Sequence, residues 1–382
     1  MRILHLIIDH QVIERMLDIF EIVFPTSNDV LVFSDASEYK HLNKHALCRR
    51  ISKENVKKES ETFDFSSYDY IVAHYLTLEM VDFISHAPKN IHVCWEIYGA
   101  DLYDQFLVPC GFKMLYTNSL KYSSLPKRIM NRFGVYNLLL SIYTRNLKQL
   151  FCVRRRYFKK ITNRLDSVEV GCVGDAKLLE KYSGRAIDTY KCFNYSLKKT
   201  LGDLYNMQFS DGNDIMIGNS ASLSNNHLYV LNYIKNFSLG ESKIIMPLSY
   251  GGFPSYKTDV MTEYQTLFSE KIFFLLDYIP LNKYNHIFKE IKTMVMAAWR
   301  QESIGTITMG LYMGIKIYMS NKSPLYLSLK EEGFYLYEIE NVDEIEFVTP
   351  LSKDIKEYNR ALLLELYDEK FFEAELRRQF KK

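Results

Sequence analysis

The sequence predicts an α/β protein with two domains, each built around a parallel β-sheet. Apolar runs of about four to seven residues alternate with stretches of helical period, the pattern of strands joined by helices. The pattern restarts after the polar stretch 195–213, which is the predicted linker, and 382 residues are enough for two ordinary domains. The hydrophobic content of 47% supports a folded body.

Each predicted strand is a short apolar run that ends in turn-forming or polar residues. In the first half the strands are residues 3–8, 30–33, 70–73, 91–95 and 167–171. In the second half they are residues 214–218, 243–247, 271–275, 293–297, 316–319 and 334–337. The predicted domains are therefore 1–195 and 214–350, followed by a charged, helical tail at 351–382 with an apolar stripe.

Composition argues against several other classes of protein. The first apolar run has one basic residue and no small-residue cleavage site, so it predicts a strand and not a signal peptide. No window approaches the roughly 20 apolar residues of a membrane span, and membrane contact is expected to be peripheral. The six scattered cysteines form no C-x-x-C pair, which is typical of reduced thiols in a cytosolic protein without a zinc site.

Positive charge is concentrated in one helical insertion. Residues 112–165 contain 13 Lys or Arg and no Asp or Glu, although the whole chain has a net charge of only +2. Its candidate contacts with an acceptor or a membrane are Arg128, Arg132, Arg154, Arg155 and Arg156. The block predicts an anionic partner, and its apolar stripe fits either an interfacial helix or a helix packed on the core. A nucleic-acid partner is not expected, because no recognised nucleic-acid module is present.

In open α/β sheets, ligands bind beyond the carboxyl ends of the strands. The segment after the first strand of the second domain offers a flexible glycine followed by side-chain donors, and Ser224 is the expected helix N-cap. This pattern favours either a phosphate held by backbone amides or an ordinary capped turn. The candidate ligands here are Gly218, Asn219, Ser220, Asn225 and His227.

Two further loops of the second domain support the phosphate interpretation. The loop after residues 293–297 leads into a helix start, where Arg300 can neutralise a diphosphate and Glu302 can accept from a sugar hydroxyl, unless the two form only a surface ion pair. Tyr250 follows another strand and can contact a base or sugar. The remaining candidates in the helix-start loop are Gln301, Ser303, Gly305 and Thr306.

Aromatic and acidic residues follow one strand of the first domain. Trp95 and Tyr98 suit sugar stacking or, equally, core packing, and Glu96 and Asp101 suit proton abstraction or hydroxyl recognition. His10, after Asp9 at the end of the first strand, is a third candidate for the catalytic base, although a lone His at a strand end is usually a hydrogen-bonding residue.

Known nucleotide-binding fingerprints are missing from the sequence. There is no G-x-x-x-x-G-K-[ST] phosphate loop and no G-x-G-x-x-G dinucleotide motif, which argues against ATPase and dehydrogenase functions. An Asp-x-Asp motif at a strand end is also missing.

Taken together, these segments resemble glycosyltransferase family 56, whose members transfer N-acetylfucosamine from a dTDP carrier to a polyprenyl-diphosphate oligosaccharide. The resemblance covers about residues 70–330, with Tyr98 where the family has Trp and Glu302 where it has Gln. It is carried by residues 98–103, Gly218-Asn219-Ser220, Ser224-Asn225 with His227, Pro247 with Tyr250, and Arg300-Gln301 with Ile304-Gly305-Thr306.

The resemblance implies a GT-B fold, in which two Rossmann-like domains face a cleft and a C-terminal helix often crosses back to the first domain. It also implies a dTDP-linked donor, no metal or other cofactor, and a lipid-linked saccharide acceptor. We therefore expect a cytoplasmic transferase that is peripheral on the inner face of the cell membrane. The alternatives are a nucleotide-sugar epimerase or hydrolase on the same fold and, less favoured, a basic nucleic-acid-binding protein.

Overall fold

A computed structural model describes residues 1–36, 38–42, 49–122, 153–191 and 197–380. The described residues fall into two compact units. Unit 1 comprises those within Met1–Phe112, Gly134–Tyr195 and Glu369–Lys382, and unit 2 comprises the rest. Residues 113–122 group with unit 2, whereas the sequence predicts them in the first domain.

Unit 1 contains a parallel sheet with the strand order β3-β2-β1-β4-β5-β6-β7. The strands are β1 Ile3–Ile7, β2 Asn28–Phe33, β3 Arg49–Ile51, β4 Tyr70–His74, β5 His92–Ile97, β6 Ser167–Val170 and β7 Asp188–Lys191. The helices are α1 Gln11–Val23, α2 Val56–Thr62, α3 Leu78–Ile84, α4 Ala100–Leu102 with a π-helical turn Tyr103–Leu107, α5 Val153–Thr162 and α6 Val173–Ser183.

Unit 2 contains a second parallel sheet with the strand order β10-β9-β8-β11-β12-β13. The strands are β8 Asp214–Ile217, β9 Ile244–Pro247, β10 Ile272–Leu275, β11 Ile291–Met296, β12 Lys316–Met319 and β13 Tyr337–Glu338. The helices are α7 Leu197–Leu201, α8 His227–Ile234, α9 Pro254–Phe268, α10 Leu281–Ile287, α11 Ile304–Tyr312, α12 Pro324–Glu331, α13 Glu344–Val348 and α14 Lys353–Leu366.

The C-terminal tail is divided between the two units. Helix α14 belongs to unit 2, and the last helix, α15 (Glu369–Gln379), belongs to unit 1. There Leu376 and Phe380 join the core cluster around Ile3 and Phe20, and Gln379 Nε2 donates to Cys94 Sγ at 2.9 Å. The tail is thus two helices with separate packing partners.

The stretch expected to be a polar linker is partly folded. Residues 197–201 form α7, and a 3-10 turn follows at Gly202–Asn206. Leu197, Leu201 and Leu204 are buried in unit 2. The linker prediction was wrong for these residues, because three leucines spaced at helical intervals give the segment an apolar side.

In both sheets the strand order reverses direction at one position. The chain runs from β1 outward through β2 to β3 and then returns to β4 on the other side of β1. In unit 2 it runs from β8 through β9 to β10 and returns to β11 beside β8. Loops leaving neighbouring strands in opposite directions open a crevice there, so the two sites of interest follow β1 and β4, and β8 and β11.

Candidate active site

In unit 2, the loops that follow β8 and β11 are joined by side chains. Asn225 Nδ2 donates to Glu302 Oε1 at 3.4 Å, and Arg300 Nε donates to Glu302 Oε2 at 3.1 Å. The Arg300 and Glu302 side chains are only 16% and 14% exposed. The ion pair considered from the sequence therefore exists, but it lies at the reversal point of the sheet and not on the open surface. Gln301, between them, is partly buried.

The backbone amides of the loop after β8 are largely used within unit 2. The Asn219 amide donates to Asn225 Oδ1 at 3.0 Å, the Ala221 amide to Tyr250 O at 2.8 Å, and the Ser222 amide to Ser220 Oγ at 3.3 Å. The expectation that this loop holds a phosphate through its amides does not hold for these three groups. The donors that this loop can offer to a ligand are therefore mainly its side chains.

Ser224 is not the helix N-cap that the sequence predicted. It lies in the 3-10 turn Leu223–Asn225, where its hydroxyl pairs with that of Ser222 at 2.8 Å. Helix α8 starts at His227 after Asn226, which adopts a left-handed φ of 52°. Asn226 tolerates this conformation better than most residues, and it resets the chain direction between the turn and the helix. Its side chain donates to Ala297 O and accepts from the Tyr116 amide.

Gly218 allows the loop to lie directly against His227. Its φ is +69°, and a Cβ at this position would be 2.7 Å from His227 Nε2 and 3.0 Å from Asn225 Oδ1. Only glycine fits here. Any other residue would be strained at this φ, and its Cβ would clash with these two atoms.

His227 is fully buried and is held by two tyrosines of α9. Its main-chain amide donates to Tyr256 Oη at 3.2 Å, its Nδ1 lies 3.0 Å from the same oxygen, and its carbonyl accepts from Tyr264 Oη at 2.9 Å. Burial lowers the pKa of His227 to about 3, so the ring is neutral. If the Tyr256 hydroxyl donates to Nδ1, the ring proton lies on Nε2, which is buried and has no hydrogen-bond partner in the described part of the chain.

Helix α11 begins beside Arg300 and is open at its N-terminus. Ser303 occupies the N-cap position with a left-handed φ of 65° and makes no side-chain cap. Among the described residues its hydroxyl has no hydrogen-bond partner. The amides of Gly305 and Thr306 lie in the first helical turn, where N–H groups lack partners within the helix and the helix dipole is positive. Such a helix start is suited to binding an anion.

Tyr250 borders the same loops. It is 61% exposed, and its hydroxyl accepts from Asn219 Nδ2 at 3.3 Å. The following turn packs closely on the loop after β8, since a Cβ on Gly252 would lie 2.0 Å from Ala221 O. The three donor-side loops predicted from sequence are therefore in contact within unit 2.

In unit 1, His10 and Tyr75 follow the neighbouring strands β1 and β4. Their rings stack with centroids 6.3 Å apart and an interplanar angle of 18°. His10 is the N-cap of α1, and its Nδ1 accepts from the Val12 amide at 3.3 Å. Partial burial and then the neighbouring His41 lower the pKa of His10, against the opposite effect of Asp9. While the cap holds, the neutral ring carries its proton on Nε2 and is a donor there.

Asp9, the neighbour of His10, anchors a loop. Its carboxylate accepts from the backbone amides of Lys40, His41 and Leu42 at 2.6, 2.9 and 3.2 Å. Because three amides occupy its carboxylate, Asp9 has a structural role at this edge of the sheet.

Asp101 is fully buried and joins two loops. It accepts from the Leu76 amide at 3.2 Å, from Trp95 Nε1 at 2.8 Å and from the Tyr98 amide at 3.0 Å. Burial raises the pKa of Asp101 to about 7 against these hydrogen bonds. Trp95 is itself fully buried, which is the core packing considered from the sequence.

Glu96 lies at one end of a buried polar chain that crosses four adjacent strands. Asn28 Oδ1 and His5 Nε2 are 3.0 Å apart, His5 Nδ1 and His74 Nε2 are 2.9 Å apart, and His74 Nδ1 contacts Glu96 Oε2. Asn28 Nδ2 donates to Glu21 and Phe24, so Asn28 Oδ1 must accept from His5. Burial raises the pKa of Glu96 to about 8 and lowers that of His74 to about 3. The pair therefore shares one proton at neutral pH.

The basic residues of α5 that the structure describes have mixed roles. Arg154 Nη1 donates to Asp104 O at 2.9 Å, and Arg155 Nε donates to Pro109 O at 3.0 Å. Arg156 and Lys159 are exposed. Arg128, Arg132 and the whole predicted apolar stripe lie outside the described residues. In the described part of the chain, every helix is too short or too polar to cross a bilayer.

Sequence reasoning missed several residues at these sites. Tyr75 follows an ordinary apolar strand, and nothing in the sequence signals its left-handed φ of 57°. His5 and His74 stand inside apolar runs and meet only through strand pairing. Lys322, whose Nζ lies 4.0 Å from the centre of the Trp299 ring, follows a strand and could have been found by reading every strand end.

Solved glycosyltransferase structures share this fold. The Anabaena protein HepE, solved with UDP and glucose, matches with a TM-score of 0.60 and 11% identity over 99% of this chain and 99% of that chain. A glycosyltransferase from Rickettsia africae matches with a TM-score of 0.62 and 10% identity over 100% and 97%. The lipopolysaccharide outer core galactosyltransferase WaaB matches with a TM-score of 0.58 and 11% identity over 99% and 98%. At these identities the likeness shows the GT-B fold.

A family model agrees with the resemblance seen in the sequence. The model described as 4-alpha-L-fucosyltransferase, glycosyl transferase group 56, matches residues 139–372. This range is more than half of the chain and contains all the donor-side loops of unit 2. The chain belongs to glycosyltransferase group 56 and is a glycosyltransferase with the GT-B fold.

Proposed function

We propose that this enzyme transfers a deoxy-amino sugar, of the N-acetylfucosamine type, from a dTDP carrier to a polyprenyl-diphosphate-linked saccharide. The group 56 match supports the sugar class, and HepE, with UDP and glucose bound, supports a nucleotide-sugar donor. The dTDP carrier and the lipid-linked acceptor rest on the family resemblance. The biological setting of this activity would be the synthesis of bacterial surface glycans.

The observation that carries the donor assignment is the open N-terminus of α11 beside Arg300. A departing nucleoside diphosphate develops negative charge, which must be stabilised where the bond breaks. Hydrogen bonds and positive charge come together here. They are provided by the first-turn amides of α11, which have no partner within the helix, by the Ser303 hydroxyl, which has none among the described residues, and by the Arg300 guanidinium. These groups support a reaction that uses no metal ion.

The acceptor side of the proposal lies in unit 1, after β1, β4 and β5. Of the three candidate bases, His10 is exposed, whereas Glu96 and Asp101 are buried. Glu96 shares its proton with His74, and Asp101 is occupied by three donors. We assign proton removal to His10, which must release the Val12 amide to expose Nδ1.

Nucleotide titration tests the donor proposal directly. Calorimetric titrations with dTDP, UDP and GDP, each with and without EDTA, should show the tightest binding for dTDP and no effect of the chelator. Tighter binding of UDP or GDP would overturn the dTDP assignment, and binding that EDTA abolishes would overturn metal independence. Analysis of products with a lipid-linked acceptor separates transfer from the alternatives, because an epimerase or hydrolase would form no extended saccharide.

We also propose that α5 helps to dock the enzyme on the anionic inner face of the cell membrane. The exposed Arg156 and Lys159 support this, while Arg154 and Arg155 hold carbonyls of unit 1 and should be left intact. Basic residues near anionic lipid contribute about 1 kcal/mol each, so Arg156→Glu with Lys159→Glu should reduce co-sedimentation with anionic vesicles several-fold. Lys57→Glu with Lys58→Glu is the matched control, and equal losses in both pairs would contradict docking through α5.

A further inference from the structure

Three aromatic rings form a row at the carboxyl ends of β1, β4 and β5 in unit 1. His10 stacks on Tyr75, and the Tyr75 and Tyr98 rings have centroids 6.4 Å apart. Tyr75 and Tyr98 pack on a buried cluster that includes Ile7 and Ile13, yet both stay partly exposed. The row therefore has one side fixed by the core and another that reaches solvent.

The position of this row is set by Asp101. One carboxylate oxygen accepts from the Leu76 amide, directly after Tyr75, and the other accepts from the amide of Tyr98 itself. The indole of Trp95 donates to the same carboxylate. Asp101 thus ties the segment after β4 to the segment after β5 from inside the protein.

The backbone of Tyr75 is strained, which indicates that the surrounding structure holds this residue in place. Its φ of 57° lies in the left-handed region, which costs a non-glycine residue of order 1 kcal/mol or more and persists only when the surroundings impose it. The Leu76 amide on Asp101 and the Leu76 carbonyl, which accepts from Gln105 Nε2 at 2.9 Å, are what impose it.

The chemistry of the row fits a pyranose ring. Aromatic faces carry partial negative charge and attract the weakly positive C–H groups on the apolar face of a sugar. His10 Nε2, as a hydrogen-bond donor, can reach a sugar hydroxyl at the edge of the same platform. Such binding does not need an exposed carboxylate, so it is compatible with the burial of Asp101.

We propose that His10, Tyr75 and Tyr98 form a saccharide subsite for the acceptor, and that Asp101 is its positioning residue and not the catalytic base. The proposal rests on the function proposed above, in which unit 1 takes the acceptor, and it adds the ligand class, the contact residues and a different role for Asp101.

Steady-state kinetics with a polyprenyl-diphosphate-linked disaccharide separate these roles. Tyr75→Ala and Asp101→Asn should each raise the acceptor KM about tenfold. Both should keep kcat within a few-fold, leave its pH profile unchanged and bind dTDP as tightly as wild type. Tyr75→Phe keeps the ring and should restore the acceptor KM that Tyr75→Ala loses. A kcat reduced by orders of magnitude in Asp101→Asn, with unchanged acceptor KM and an altered pH profile, would show that Asp101 is the base and overturn the proposal.

Saturation-transfer NMR tests the subsite without catalysis. Methyl N-acetyl-β-glucosaminide and methyl β-glucoside serve as probes, with dTDP as a second ligand. Wild type and Tyr75→Phe should transfer magnetisation to the glycoside ring protons, and Tyr75→Ala and Tyr98→Ala should not. Wild type that binds dTDP but neither glycoside would overturn the subsite and leave the proposed function standing. Glycoside binding without any transfer product would count against the proposed function instead.

Discussion

His74 and Glu96 lie side by side on β4 and β5, and the imidazole Nδ1 is in direct contact with a Glu96 carboxyl oxygen. Both side chains are buried, and the pair is continued by His5 and Asn28 across the sheet. Since Asn28 can only accept from His5, and His5 then accepts from His74, the proton of the pair lies between His74 and Glu96.

Because of this pair, we expect the free energy of unfolding to be constant between about pH 4.5 and 6.5 and to fall on both sides of that range. The pKa of Glu96 rises from 4.5 to about 8 and that of His74 falls from 6.5 to about 3. Above pH 6.5 the unfolded chain loses a proton that the folded pair keeps, so stability should fall as pH rises toward 8. Below pH 4.5 the unfolded chain binds a proton that the folded pair does not bind, so stability should fall as the pH is lowered toward 3.

Urea unfolding across this pH range checks the prediction. In Glu96→Gln the amide can still donate to His74, but the alkaline loss should disappear. The acid loss should begin nearer pH 6.5, where unfolded His74 takes up a proton that the folded ring does not. Identical pH profiles for wild type and Glu96→Gln would show that the pair does not hold the proton.

Arg300→Ala should weaken dTDP binding by about 1.5 to 3 kcal/mol, because it removes a hydrogen bond to a charged phosphate. Glu302→Gln should not weaken it, since the amide oxygen still accepts from Asn225 and a negative charge beside the diphosphate is removed. Calorimetric titration measures both. Unchanged affinity in a folded Arg300→Ala protein would remove Arg300 from the donor site.

Gly218→Ala should cost more stability than Gly240→Ala. Both glycines are left-handed, with φ of +69° and +56°, so both substitutions carry a backbone penalty of about 1 kcal/mol. A Cβ at Gly240 meets nothing within 4 Å, whereas one at Gly218 lies 2.7 Å from His227 Nε2. Urea midpoints give the difference, and dTDP affinity should fall only in Gly218→Ala. Equal effects would contradict the close packing of Gly218 on His227.

Tyr256→Phe should release the His227 ring from a single tautomer. The Tyr256 hydroxyl lies 3.0 Å from Nδ1, whereas the Tyr264 hydroxyl donates only to the main-chain carbonyl, so Tyr264→Phe is the control. Nitrogen chemical shifts of the imidazole should show an Nε2–H ring in wild type and in Tyr264→Phe, and a mixture in Tyr256→Phe. A wild-type ring with its proton on Nδ1 would contradict this arrangement.

The central strands and the edge strand β10 could be predicted from the sequence, whereas the two edge strands of unit 1 could not. Strands β1, β4, β5, β8 and β11 are mostly buried along their length, and most of their residues are apolar. β3 (Arg49–Ile51) and β7 (Asp188–Lys191) are short, polar edge strands that form only by pairing with a neighbour. Their residues carry no pattern that distinguishes them from loops.

The candidate sites could be located from strand ends, but the roles of their residues could not. Reading the residues after each strand identified Arg300, Glu302 and His10. Asp101 accepts from the Leu76 amide, which is 25 residues away in the sequence. Ser224 does not cap helix α8, because the left-handed Asn226 precedes the helix instead. Such long-range hydrogen bonds and local backbone reversals have no signature in a single sequence.

The packing of α15 into unit 1 has a consequence for biosynthesis. Leu376 and Phe380 complete a cluster that includes Ile3, so during synthesis the segment around Ile3 waits for one made more than 350 residues later. At about 5 to 20 residues per second, the apolar surface around Phe20 stays uncovered for tens of seconds or more while unit 2 is synthesised. That nascent surface is a natural target for chaperones, and slower translation would lengthen its exposure.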